Sequence, residues 1–345
     1  SPSDNRAIRG CIGAFSAGGA LIVSKRNTAG IGTKDGALVV GGDTNPDPAA
    51  AHLGSTEEYN GSSFSEVNDL ITPRRCTMGA GTTEAGIIAG GQKFPSPGTI
   101  ACTEVYNGTN WSEEADMNYC TKGSGDAGDT SEAAIVFGGN FNTPASHYTA
   151  QSEEYNGTTW SEITSLIIAR TDLAGLGNSE AALAVAGAPA PGGHSPGNGF
   201  DVEEWDGSTW TSRQQTLNNP FLNQYIKGAG TVNDGHAFGG VYRTNIPPVG
   251  NVYHYDGKSQ HWDGSSWSHG GGLIAGRTGG GGDGTSGDNG FYAGGDIGNT
   301  APYTSTCMEV YSRTFITASF GRLETHLLEG DASNMTNMNP PGIVS

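Results

Sequence analysis

The chain has 345 residues, of which 57 are Gly and 16 are Pro, with 34% hydrophobic and 15% charged residues. Each interior Gly costs a helix about 1 kcal/mol relative to Ala, so helical bundles and coiled coils are excluded, and without an every-third Gly so is collagen. Against 17 Lys and Arg stand 35 Asp and Glu, a formal charge of −18 that is the reverse of the basic footprint nucleic acid or anionic membrane requires.

No apolar run approaches the roughly 20 residues of a membrane span. The chain begins SPSDNRAIRG without Met, which reads as a processed product. What remains is an all-β chain with many turns.

Residues 7–20, AIRGCIGAFSAGGA, open the chain with a strand carrying Phe15-Ser16. Six copies of one pattern follow. Each begins with G-x-G and Thr, Asn or Asp, starting at Gly30, Gly79, Gly123, Gly175, Gly228 and Gly282. An apolar strand comes next, ending in Gly41-Gly42, Gly90-Gly91, Gly138-Gly139, Gly187-Ala188, Gly239-Gly240 or Gly294-Gly295. After a variable loop comes EEYNGSSFSE at 57–66 and its relatives, anchored on Tyr59, Tyr106, Tyr155, Trp205, Trp262 and Tyr311 at spacings of 47, 49, 50, 57 and 49.

Asn-Gly or Asp-Gly after the first five anchors predicts a two-residue type I′ hairpin, because both central positions need positive φ. With Asn60-Gly61 as that loop, Tyr59 faces Ser62, and Phe64 lies two residues further along on the same sheet face. Each copy therefore supplies four short strands and an aromatic pair for a neighbouring sheet. Six such units predict a six-bladed β-propeller. The sixth copy has Ser312-Arg313 in place of Asn-Gly and no Trp, so the N-terminal strand is predicted to complete the last blade; the alternative is that Phe315 and its neighbours close it alone.

An apolar strand ending in Gly-Gly, then a Tyr, then a Trp after a tight turn, resembles the kelch repeat over roughly residues 7–317. Tyr to Trp is shorter here than usual in kelch, and the basic residue that opens the first strand is clear only at Arg26, Arg75, Arg170 and Arg277. The E-x-Y-N-G-T-x-W-S cadence is similar to kelch-like propellers of marine bacteriophages. The resemblance implies a kelch-like propeller at 1–317, closed by the N-terminal strand, and a short C-terminal anchoring tail at 318–345. In that tail FGRLETHLLEGDASNMTNM is similar to G-D-x-S-x-x-T-N segments of phage tail-fibre and virion proteins. It marks Arg322, Leu323, His326, Leu328, Asp331 and Met335 as assembly residues; a free terminus is the plainer reading.

Chemistry is sparse. Glu57, Glu104, Glu153, Glu203 and Glu309 repeat two residues before their anchors and read as structural acceptors, since repeated positions serve the repeat. The eight His show no H-x-H or H-x3-H spacing, and no zinc, P-loop or G-x-S-x-G pattern occurs. His254 and His261 flank a hairpin-like turn at Tyr255-Asp256-Gly257. D-G-S-T-W is similar to the Asp-box of sialidases, but its spacing is too short and no basic cluster accompanies it. Cys76 and Cys120 both precede a G-x-G by three residues and so occupy equivalent places, as free thiols or a disulfide. No catalytic residue, metal ligand or cofactor is indicated.

Loops carry binding while blades carry packing. The six connections after the Gly doublets all emerge at one end of the ring by strand parity, and their Phe94, His147, Tyr148, His194, Phe200, Tyr242, Arg243 and Tyr303 suit contact with a glycan or another protein. The reading is a non-enzymatic, extracellular virion component, a tail fibre or decoration protein. It presents a propeller face to a receptor or host-surface glycan and joins other virion subunits through its tail. The alternative is a secreted or cell-surface bacterial carbohydrate-binding propeller, and third a propeller enzyme of lyase, sialidase-like or oxidase type.

Overall fold

The computed structural model describes residues 8–44, 52–94, 98–141, 147–189, 201–213, 224–246, 250–255, 257–298 and 303–318, with backbone alone for 8–12, 243–246, 250–251 and 314–318. Two compact units divide the chain: Gly13–Arg313, and the two ends, Ser1–Ile12 with Thr314–Ser345. The first is an all-β, six-bladed propeller. In the second, residues 8–12 and 314–318 are strand.

Blade 1 is an antiparallel sheet of Ala29–Thr33, Gly36–Val40, Thr56–Tyr59 and Phe64–Val67, from the axis outward. Blades 2 to 5 repeat it from inner strands Met78–Gly81, Gly125–Thr130, Ala174–Gly177 and Lys227–Thr231. Blade 6 runs Gly281–Asp283, Phe291–Ala293, Cys307–Ala318 and, outermost, Ile8–Ala20. The N-terminal strand thus completes the last blade, as expected. Phe15 lies 5.0 Å from the Tyr311 ring and 5.4 Å from Phe238 of blade 5.

Second strands are largely apolar because they meet protein on both faces: Leu38, Val39 and Val40 are wholly buried, as are Leu183 and Val185. Six apolar clusters fill the six blade interfaces. The one that closes the ring packs Phe291, Ala293 and Met308 of blade 6 against Ala37, Val39 and Tyr59 of blade 1. Inner strands approach closely: a Cβ on Gly281 would stand 2.8 Å from the Ala29 carbonyl of the next blade.

Three local expectations need correcting. Tyr59 pairs directly with Phe64, their rings 5.0 Å apart, so the connection has four residues, not two. The Asn60 side-chain oxygen accepts from the Ser62 and Ser63 amides at 3.1 Å each, an Asx turn that binds the loop in place of a type I′ hairpin. Asn107, Asn156, Asp206 and Asp263 do the same.

In blade 3 the inner-strand position held elsewhere by Gly30 or Gly79 belongs to Asp126, paired with Val136, so Gly123 lies upstream of the strand. In blade 4 the doublet is Ala186-Gly187, with φ +54 and +98. Its first place tolerates a side chain in the left-handed region. The second, near φ +100 in every copy, does not: a Cβ on Gly42 would sit 2.5 Å from the Arg26 carbonyl.

The repeated glutamates clasp the segment that enters five of the six blades; blade 5 has Gln260 in that place. Glu57 accepts from the Ile22 and Val23 amides at 2.6 and 3.2 Å and pairs with Lys25 at 3.0 Å. Glu104 holds Ile71, Thr72 and Arg74; Glu203 holds Ile167, Ile168 and Arg170; Glu309 holds Ile274, Ala275 and Arg277. The structural cation therefore precedes the expected Arg26 and Arg75 by one residue, at Lys25 and Arg74. Blade 3 has Thr121 there, and Glu153 takes the Asn118 amide and carboxamide and the Tyr119 amide instead. Without a cation, burial raises the Glu153 pKa.

Candidate functional site

Each entering segment continues to the axis. The next residues, Arg26, Arg75, Lys122, Thr171, Gln224 and Thr278, bridge to the first residues after the doublets, Asp43, Gln92, Asn140, Ala188, Val241 and Asp296. This places the six variable connections at one end of the ring, as strand parity predicts. They surround a cavity of about 540 Å³ on the axis.

One residue further along, every blade turns left-handed: Asn27, Cys76, Gly123, Asp172, Tyr225 and Gly279 have φ between +52 and +66. Their backbones join around the axis. The Cys76 amide donates to the Asn27 carbonyl at 2.8 Å, Gly123 to Cys76 at 3.1 Å, Asp172 to Gly123 at 2.7 Å, Tyr225 to Asp172 at 2.9 Å, and Asn27 to Gly279 at 2.5 Å. This ring forms the throat between the cavity above and a chamber of about 40 Å³ below. It also corrects the cysteine equivalence: Cys76 matches Gly123, while Cys120 is exposed two residues before Lys122. Cys76, Cys102, Cys120 and Cys307 are all free thiols.

The cavity wall is charged but internally matched. Arg26 pairs with Asp43 at 2.8 Å and Asp296 at 2.6 Å, and Arg75 with Asp43 at 3.0 Å. Lys122 donates to the Gln92 side-chain oxygen at 3.2 Å, and Tyr148, Tyr253 and Tyr255 add aromatic surface. At the throat, burial pushes the Asp172 carboxyl up to about 7, against the pull of Lys122 and Lys227 and a hydrogen bond from Tyr225. The negative charge of Asp172, and then burial, raise the Tyr225 phenol, while burial pushes the Cys76 thiol up to about 11. Deeper on the axis Asp126 accepts from the Gly79 amide and Asp283 from Gly32, at 2.9 Å each, and burial raises both carboxyls.

Around the mouth the surface turns apolar. Four of the five clasped segments read Leu then Ile: Leu21, Leu70, Leu166 and Leu273 are buried, whereas Ile22, Ile71, Ile167 and Ile274 are 52–66% exposed. Phe94, Tyr225, Tyr253 and Ile297 complete the exposed large hydrophobics among the described residues, and all eight lie at the loop end. The opposite end, built of the strand turns, presents Asp35, Glu84, Glu132, Glu180, Asp206 and Asp263.

The expected site aromatics are only partly gathered. Tyr148 lines the cavity. Tyr242 stacks on His254 at 4.5 Å within the ribbon Val241–Ile246 and Gly250–Tyr255, where Tyr255 pairs with Val241; residue 256 of the expected turn lies outside the described residues. Arg243 pairs with Tyr253 in that ribbon. Phe94 lies edge-on to His52, His147 is exposed in a short ribbon, and the Tyr303 carbonyl accepts from Ile297. His194, Phe200 and the assembly residues Arg322, Leu323, His326, Leu328, Asp331 and Met335 lie outside the described residues. Sequence reading did not assign the axial set of Arg26, Arg75, Lys122, Asp172 and Tyr225 to a site; its signal is a pair of adjacent positions that vary from copy to copy, from Arg-Asn at 26–27 to Thr-Gly at 278–279.

No protein-family model matches this chain, and no curated protein does. Solved structures do match. One titled "Structure of YjhT" aligns with a TM-score of 0.65 at 12% identity, covering 86% of this chain and 99% of that one. At that identity the likeness shows the propeller fold.

Proposed function

We propose that the chain is a non-enzymatic recognition component of a virion, a kelch-like fibre or decoration protein that meets its receptor with the loop end of the ring. The observation that carries this reading is the segregation of all eight described exposed large hydrophobics to that end, around a polar axial cavity. Exposed apolar residues gathered on one face mark an interaction site, and scattered ones do not. The phage-like cadence of the repeat and the virion-like G-D-x-S-x-x-T-N segment of the tail support the setting.

The test is adsorption of the purified chain to a panel of bacterial envelopes. Ile71→Lys, Ile167→Lys and Ile274→Lys together are expected to abolish adsorption with the fold intact, and Glu84→Lys at the opposite end to leave it unchanged. Adsorption that survives the three lysines would falsify the face. Peptides of this chain in purified virus particles are the expected sign of the setting; their absence favours a secreted or cell-surface carbohydrate-binding propeller using the same face.

One observation favours a propeller enzyme instead: Asp172, with its carboxyl near neutrality and its Tyr225 partner, forms an asymmetric acid–base pair beside Lys122 in the axial cavity. Turnover of any envelope glycan, lost in Asp172→Asn, is the result that would establish it.

A further inference from the structure

We propose that the axial cavity binds a neutral, hydroxyl-rich ring, a saccharide unit, whose hydroxyls are read by Asn140 and Thr278. This deepens the recognition reading and rests on it. Both residues line the cavity, Asn140 from blade 3 and Thr278 from the segment entering blade 6, and they are only 9% and 8% exposed. The Asn140 side-chain oxygen and the Thr278 hydroxyl have no hydrogen-bond partner among the described residues. Native proteins pair nearly all buried polar atoms, so two orphans on one cavity wall point to a ligand that completes them. A carboxamide oxygen accepts, and a threonine hydroxyl both donates and accepts; ligand hydroxyls satisfy both.

Two of the three cations on the wall, Arg26 and Arg75, are already matched by carboxylates, and the third, Lys122, is engaged by the Gln92 side-chain oxygen at 3.2 Å. Arg26, Asp43, Arg75 and Asp296 already answer one another, and a charged ligand would have to compete with those pairs. Tyr148, Tyr253 and Tyr255 offer ring faces suited to the C–H surface of a sugar. The volume, about 540 Å³, falls within the roughly 300–1,000 Å³ of small-molecule sites.

The experiment is saturation-transfer NMR on the full chain with the methyl glycosides of glucose, galactose, mannose and N-acetylglucosamine and with cellobiose, using glucuronate and glucosamine as charged comparators. At least one neutral sugar is expected to bind. Thr278→Val, close to isosteric, and Asn140→Ala should each weaken it roughly tenfold, the size of one neutral hydrogen bond, with melting temperature unchanged in the valine variant. Binding by charged sugars alone, by none, or by both variants as by the parent overturns the assignment. The triple Ile→Lys variant is expected to keep sugar binding, so a failed cavity and a failed docking face are read apart.

Discussion

Arg74 and Arg75 are neighbours in sequence and belong to two different regions of the molecule. Arg74 is wholly buried in the clasp, where Glu104 and the carbonyls of Gly90 and Cys102 take its guanidinium. Arg75 turns to the axis and meets Asp43 and Gln92 on the cavity wall. The same division separates Lys25 from Arg26. The first position stays basic in four blades because a buried carboxylate demands it; the second varies around the ring, with Arg in two blades, Thr in two, Lys in one and Gln in one. In a repeat fold, what recurs holds the ring together, and what diverges at a shared place is free to serve a ligand.

The largest expected effect tests the clasp. Arg74→Ala strands Glu104 in the interior, and removing one partner of a buried pair costs about 3–5 kcal/mol, measurable by urea unfolding. Arg75→Ala should cost under about 1 kcal/mol, because its guanidinium is partly solvated and Asp43 keeps Arg26. Equal losses would erase the distinction between the two rings.

A smaller effect concerns the throat. The folded-state pKa of Asp172, about 7, exceeds the roughly 3.9 of an unfolded Asp. The folded protein therefore holds that proton more tightly, and the contribution of Asp172 to stability is full below about pH 4 and lost as pH rises through 7. Asp172→Asn, whose side chain accepts φ +57, should flatten this decline in a series of melting temperatures from pH 4 to 8. A decline of unchanged size would place its source elsewhere.

The smallest lies at the opposite end of the ring. Backbone amides of the Asx turn hold the Asp206 carboxyl down at about 2, so its sign is reversed: the stabilisation is present above the unfolded pKa and is lost as pH falls toward 2. Asp206→Asn should be nearly silent at pH 7, where Asn60, Asn107 and Asn156 already fill the same turn, and should remove the acid sensitivity of that turn.

The blades, their number and the closing strand were legible because they depend on features that recur: apolar second strands, doublets, aromatic anchors and Phe15. Local geometry was less so. A four-residue Asx turn and a two-residue hairpin both begin with Asn-Gly, and only the side-chain bonds of Asn60 separate them. Asp126 hid the inner strand of blade 3 because Gly123-x-Gly125 imitates its motif three residues early. The throat escaped because Asn27, Cys76, Gly123, Asp172, Tyr225 and Gly279 share a backbone angle and no side-chain chemistry. The exposed isoleucines were visible as letters, but their outward direction depends on the glutamates that fix the Leu-Ile segments.

Hydrogen–deuterium exchange in the presence of an envelope to which the chain adsorbs tests the central claim most directly, since it maps the contact without altering a residue. Protection is predicted at the loop end, in the segments 21–28, 70–77, 166–173 and 273–280, with none at the turns around Asp35, Glu84 and Glu180. Protection confined to those turns would contradict the account.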